Sequence, residues 1–248
     1  MFVFKSVGLV VFVMMLIIGI FDANKMFLLV KKSELLIADT EPFERKIPLA
    51  PMTILVLGDS TAYGTGSEKN ELSTAGRLGH LYPEASIKNL AVNGLRLAGL
   101  LDLISNLPVK EHYDLVLVQI GANDIIRLTK MNDIRRDAES VFKELSLKTD
   151  KLVILHAGDI GDVQFFPLYL SPILSKRSKE VRDVYQSLAI KYKANYVNLI
   201  DSPVSKKLRS DPEKYYANDL LHLSGEGYGL WFDEIEKTLR QQEGSAVI

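Results

Sequence analysis

The chain has 248 residues, 47% of them hydrophobic and 25% charged, which suits one full-sized globular domain with a short appendage. Its 30 basic and 31 acidic side chains are mixed along the sequence and give a formal net charge of −1, so it carries no electrostatic footprint of a nucleic-acid binder. The absence of cysteine excludes disulfides, a thiol nucleophile and thiolate metal sites.

The amino terminus differs in kind from the rest. Between Lys5 and Asp22 the run Ser6 to Phe21 has no charge over 16 residues. That is shorter than the roughly 20 apolar residues that span a bilayer squarely, but Phe2 to Phe4 extend it if Lys5 snorkels. A cleaved signal peptide is the alternative. It is disfavoured because Phe21 and Ala23 would occupy the two small-residue positions, and Phe is too large. Residues 1–24 are therefore read as a retained hydrophobic anchor helix. Lys25, Lys31 and Lys32 after the run favour a cytoplasmic domain, whereas a short amino-terminal tail favours export. The expectation is an extracytoplasmic domain, tethered to the membrane through this segment.

Residues 25–51 read as a linker, with an amphipathic piece from Met26 to Ile37 and a polar stretch marked by Pro42, Pro48 and Pro51. From about Met52 to residue 243, short apolar runs alternate with longer helical patterns, the signature of an α/β domain whose parallel sheet is covered on both faces. Five strands are predicted at Thr53 to Leu57, Ser86 to Val92, Leu115 to Ile120, Leu152 to His156 and Tyr196 to Leu199. Helices are predicted at Glu71 to Leu81, Leu95 to Leu107, within Asp124 to Leu147, at Pro172 to Tyr192, and from an N-cap at Ser224 to Gln241. Gly158 to Leu170 reads as a loop exposing Phe165 and Phe166, with Leu168 and Tyr169 completing an apolar lip. Tyr63 to Lys69 lacks the spacing of a phosphate loop and reads as a flexible loop.

The strand ends carry the chemistry. Strand one runs into Gly58-Asp59-Ser60, where a serine sits at a carboxyl edge, the place where open α/β sheets build sites. Strand two ends before Gly94, whose backbone N–H is unobstructed, and strand three before Asn123, whose amide can donate. Asp219-Leu220-Leu221-His222 places a carboxylate and an imidazole three residues apart ahead of the last helix. Serine, histidine and aspartate together point to hydrolysis through a covalent intermediate, with Gly94 and Asn123 as oxyanion donors. Asp124 is expected to cap the helix that follows it. His156 is expected to be a satisfied core histidine. No histidine pair has metal-ligand spacing, so no metal or other cofactor is expected.

These blocks resemble the SGNH/GDSL hydrolases. Gly58-Asp59-Ser60, Gly94, Gly121-Ala122-Asn123-Asp124 and Asp219-Leu220-Leu221-His222 occur in that family's order, over roughly residues 53 to 240. The resemblance implies a flavodoxin-like three-layer α/β/α sandwich. It also implies Ser60 as nucleophile, His222 as base, Asp219 as its orienting acid, and an oxyanion hole from Ser60 N–H, Gly94 N–H and the Asn123 side chain. The partner would be an ester or thioester of a lipid, a carbohydrate or another small molecule. An acyl- or acetyltransferase on the same scaffold and a non-catalytic anchored partner protein are the alternatives. The Leu220-Leu221 pair is bulky for its position and is expected to narrow the pocket.

Overall fold

The computed structural model describes residues 2–109 and 111–245, with side chains from residue 14 to residue 241 apart from Lys110. A long helix α1 (Phe2–Asp39) leads into strand β1 (Met52–Gly58) and a single-turn helix α2 (Ser60–Tyr63). Then follow α3 (Thr74–Leu81), β2 (Ala85–Asn89), α4 (Leu97–Ser105), β3 (Leu115–Gln119), α5 (Ala122–Ile126) and α6 (Met131–Ser146). The chain ends with β4 (Leu152–Leu155), α7 (Ser171–Tyr192), β5 (Asn195–Tyr196), α8 (Pro203–Ser210), α9 (Pro212–Tyr215) and α10 (Gly225–Ser245).

All five strands are parallel, in the order β2-β1-β3-β4-β5. This is the flavodoxin-like order, and it places the topological switch point between β1 and β3. Successive side chains of a strand point to opposite faces, and both faces of this sheet are covered, so the central runs Ile54–Leu57 of β1, Leu115–Val118 of β3 and Leu152–Leu155 of β4 are apolar throughout. Ile54, Val56, Leu115, Leu117, Val153 and Leu155 face one core, which also takes residues of α3, α8 and α10. Leu55, Leu57, Val116, Val118, Leu152 and Ile154 face a second core shared with α4, α6 and α7. The result is a three-layer sandwich with the sheet in the middle.

The helices start where local chemistry allows. Ser73 Oγ accepts from Gly76 N–H at 3.1 Å to cap α3, and Ser224 Oγ accepts from Gly227 N–H at 3.2 Å to cap α10 as the sequence indicates. The long helix expected within Asp124 to Leu147 is α6, and the short α5 precedes it. The two are separated at Leu128, a leucine in the left-handed region with φ 54°. Asp124 does not cap its own helix. Its Oδ2 accepts from Leu97 N–H at 2.9 Å, so it caps the start of α4 across the switch point.

Residues 25–51, expected as a linker, are docked on the domain. Leu29 of α1 is buried in the first core. Arg45 exchanges backbone hydrogen bonds with Ile87, and its guanidinium donates to the carbonyls of Ala85, Gly79 and Tyr82. The anchor helix expected at residues 1–24 finds no support: among the described residues no helix is long and apolar enough to cross a membrane. The apolar run is continuous with a charged second half of α1 carrying Asp22, Lys25, Lys31, Lys32 and Glu34, and its side chains before Met14 lie outside the described residues.

Candidate active site

The end of β1 is fixed to its neighbours by backbone bonding that outruns the strands. Asp59 N–H donates to Gln119 O at 2.9 Å, and Val92 N–H donates to Gly58 O at 3.0 Å. These two bonds bring the starts of three loops, carrying Ser60, Gly94 and Asn123, to one edge of the sheet. Gly58 has φ +143°, and a Cβ there would sit 1.9 Å from the Gln119 carbonyl oxygen, so only glycine permits this approach.

Ser60 opens α2 and is almost buried, with 9% of its surface exposed. Its neighbour Asp59 caps that helix, Oδ1 accepting from Thr61 N–H at 3.0 Å and Thr61 Oγ1 at 2.8 Å. Burial pushes the Asp59 carboxyl up to about 6, against the lowering effects of the Thr61 hydrogen bonds and the His222 charge. Its Oδ2 is buried without a partner.

The Asp219–His222 turn is a closed unit. Asp219 Oδ1 accepts the N–H groups of Leu221 and His222, each at 3.0 Å, while Oδ2 lies 2.6 Å from His222 Nδ1. Leu220 takes a left-handed conformation, φ 57°, to make the turn, and the ends are tied by Ala217 N–H to His222 O at 2.8 Å. With Nδ1 held by the carboxylate, Nε2 is the ring nitrogen left for proton exchange. Burial disfavours the Asp219 carboxylate, but the hydrogen bond and charge of His222, then the hydroxyl of Ser33 and the Leu221 N–H, hold it below the usual carboxylate range.

Ser60, Gly94, Asn123 and His222 line one cavity of about 290 Å³. The rest of its wall is largely apolar, including Ile126, Ile160, Phe165, Leu221 and Trp231. A hydroxyl, an imidazole held by a buried carboxylate, and amide groups around a mostly apolar cavity form the set that acyl transfer through a covalent intermediate requires. Among the described residues no group of three His, Asp or Glu side chains could hold a metal.

Several expectations are corrected here. Phe165 is buried and points into the cavity instead of lying on an exposed lip, and it packs edge-on against Phe166, which is half-buried; Leu168 and Tyr169 remain exposed. The Tyr63 to Lys69 segment is pinned, not flexible. Thr65 Oγ1 donates to Asn93 Oδ1 at 2.6 Å, Thr65 O accepts from Tyr228 Oη at 2.8 Å, and a Cβ on Gly66 would meet His222 Cβ at 2.8 Å. His156 is buried but only half satisfied: Nδ1 accepts from Gly158 N–H at 3.0 Å, while Nε2 has no partner. Leu221 does line the cavity, as the bulk of the Leu220-Leu221 pair suggests.

Sequence reasoning missed the contribution of α1. Val30, Ser33, Glu34 and Ile37 all line the cavity, and Ser33 Oγ donates to Asp219 Oδ2 at 2.5 Å. The amphipathic pattern of Met26 to Ile37 signals a covered face, but not what covers it.

Similar architecture occurs in solved structures. A member of the lipolytic protein G-D-S-L family from Veillonella parvula aligns with TM-score 0.61 and 15% identity, covering 75% of this chain and 97% of that one. A psychrotrophic esterase from Pseudoalteromonas, in a structure inhibited by monoethylphosphonate, aligns with TM-score 0.58 and 18% identity over 77% of this chain and 98% of that one. An acetylxylan esterase from Geobacillus stearothermophilus gives TM-score 0.58 and 15% identity over 76% and 94%. At these identities the likeness is one of fold. No curated protein sequence matches the chain significantly. The family model for GDSL-like lipases and acylhydrolases matches residues 56–230, well over half of the chain and a span that includes all four sequence blocks. The protein belongs to the GDSL-like lipase/acylhydrolase family.

Proposed function

We propose that the protein is a serine ester hydrolase acting through an acyl-enzyme. His222 Nε2 takes the proton of Ser60 Oγ as the hydroxyl oxygen attacks the ester carbonyl. The oxyanion is held by the N–H groups of Ser60 and Gly94 and the side-chain amide of Asn123. His222 then returns the proton to the departing alkoxide, and water, deprotonated by the same imidazole, releases the acid. Asp219 keeps the ring in place and offsets the positive charge that develops on it.

The observation that carries this reading is convergence: four sequence blocks separated by up to 162 positions, from 60 to 222, line one cavity with the histidine already bound to its carboxylate. The activities named for the Pseudoalteromonas and Geobacillus structures support ester hydrolysis as the reaction class. The apolar wall supports an ester whose acyl part is hydrocarbon, a class that includes lipid esters. A series of p-nitrophenyl esters from acetyl to long-chain acyl tests this. An optimum above acetyl supports an apolar acyl site, and equal turnover across the series removes it.

The same reading keeps the free end of α1 as a tether that holds the domain at a membrane, on its extracytoplasmic side. Large side chains from Met14 to Phe21 are more than half exposed, an apolar surface that favours lipid contact. Cell fractionation of the full-length chain checks this, since recovery in the supernatant without detergent rejects the tether.

A further inference from the structure

The second half of α1 presents one face to the cavity. Val30, Ser33, Glu34 and Ile37 are spaced i, i+3, i+4 and i+7, the spacing of a single helical stripe, and all four line it. The helix is held there from outside as well. Lys25 Nζ donates to Gln164 O and Lys32 Nζ to Asn218 O, each at 3.2 Å, and Leu29 is buried in the core beside them.

Ser33 lies at the centre of the stripe, 8% exposed, with its hydroxyl 2.5 Å from Asp219 Oδ2. The Asp219 carboxylate thereby receives four donors: two backbone N–H groups on Oδ1, and the imidazole and the Ser33 hydroxyl on Oδ2. Three of the four come from its own turn. Only the fourth reaches it from a distant part of the chain, 186 residues away.

We infer that α1 is a wall of the active site and that Ser33 is a positioning residue, acting through Asp219 on the orientation and charge of His222. This rests on the proposed hydrolytic role of Ser60, His222 and Asp219. The Ser33 hydroxyl favours the ionised carboxylate and fixes Oδ2 in the plane where His222 Nδ1 meets it. Loss of the hydroxyl removes one of the interactions that hold the Asp219 carboxylate ionised. The carboxylate then takes up a proton more readily, which moves the acid limb of kcat/KM to higher pH.

The test uses the full-length chain with Ser33→Ala and Ser33→Thr. Ser33→Ala is expected to lower kcat about tenfold with KM within twofold, and to move the acid limb upward by about half a pH unit. Ser33→Thr restores most of the wild-type kcat, because it returns the hydroxyl. A Ser33→Ala variant whose kcat and acid limb match the wild type overturns the inference, even if its melting temperature falls. If the wild type shows no esterase activity and no fluorophosphonate labelling, the functional proposal fails separately. The inference is then decided by the carboxyl ¹³C titration of Asp219, where an unchanged midpoint in Ser33→Ala overturns it and an upward shift sustains it.

Discussion

Asp219 holds His222 twice: Oδ2 lies 2.6 Å from the ring Nδ1, and Oδ1 accepts the backbone N–H of the same residue at 3.0 Å. The turn that carries the imidazole is thus built around the carboxylate that contacts it. Asp219→Asn keeps an oxygen for the backbone donors but removes the charge facing the ring. Turnover of a simple ester is expected to fall on the order of a thousandfold or more, by the logic of triads in which the acid is replaced by its amide. Far-ultraviolet circular dichroism should remain that of the wild type. Turnover within tenfold of wild type would show that the pair has no part in proton transfer.

Asn123 sits at the carboxyl end of β3, on the wall that also carries Gly94. The oxyanion-donor role proposed for it would act mainly on the transition state, so its loss would belong in kcat more than in KM. Asn123→Ala should cost about a hundred- to a thousandfold in kcat. A change confined to KM would assign the amide to substrate binding instead.

Asp59 and His156 give stability a pH dependence in opposite directions. The buried Asp59 carboxyl is raised to about 6 from 3.8, so the folded state holds its proton more tightly than the unfolded chain. Its contribution is full below pH 3.8 and is lost as pH rises through 6, a change of about 3 kcal/mol. Asp59→Asn keeps the Oδ1 acceptor for Thr61 without a carboxyl to ionise. Its melting temperature should exceed that of the wild type by several degrees at pH 8 and approach it at pH 4. Equal differences at both pH values would mean that Asp59 does not titrate in this window.

His156 is lowered to about 4 from 6.5, mainly by burial and then by the charge of Arg182. The unfolded chain takes up the proton first on acidification. Stability from this group is therefore full above pH 6.5 and is lost as pH falls toward 4, again by about 3 kcal/mol. His156→Asn preserves an acceptor for Gly158 N–H and removes the titration. Thermal melts of this variant should lose less stability than the wild type between pH 6.5 and 4, whatever its stability at neutral pH. A parallel loss in both proteins would contradict the assignment.

The sheet and the site edge were legible for one physical reason. Strands buried on both faces are continuous apolar runs, and three such runs here, in β1, β3 and β4, are followed by glycine or polar residues at which the chain turns. Strand limits shifted at β2 and β5 because bonding continues past the regular ladder, as from Val92 to Gly58 and from Val197 to Ile154. The break at Leu128 was hidden because leucine rarely adopts positive φ, and tertiary packing overrode that preference. Phe165 turned inward because the cavity needed an apolar wall, a demand that no local pattern encodes. The pairing of Ser33 with Asp219 was out of reach for the same reason. A helical stripe reveals a buried face, and only the folded chain shows that this face meets the Asp219 carboxylate.

Labelling by a fluorophosphonate tests the central claim most directly, because it reports an activated serine without assuming a substrate. The wild-type chain should form a covalent adduct on the peptide containing Ser60, with Ser60→Ala unlabelled at an unchanged melting temperature and His222→Ala labelled far more slowly. Labelling that persists in Ser60→Ala, or a folded wild-type protein that never reacts, would contradict the account.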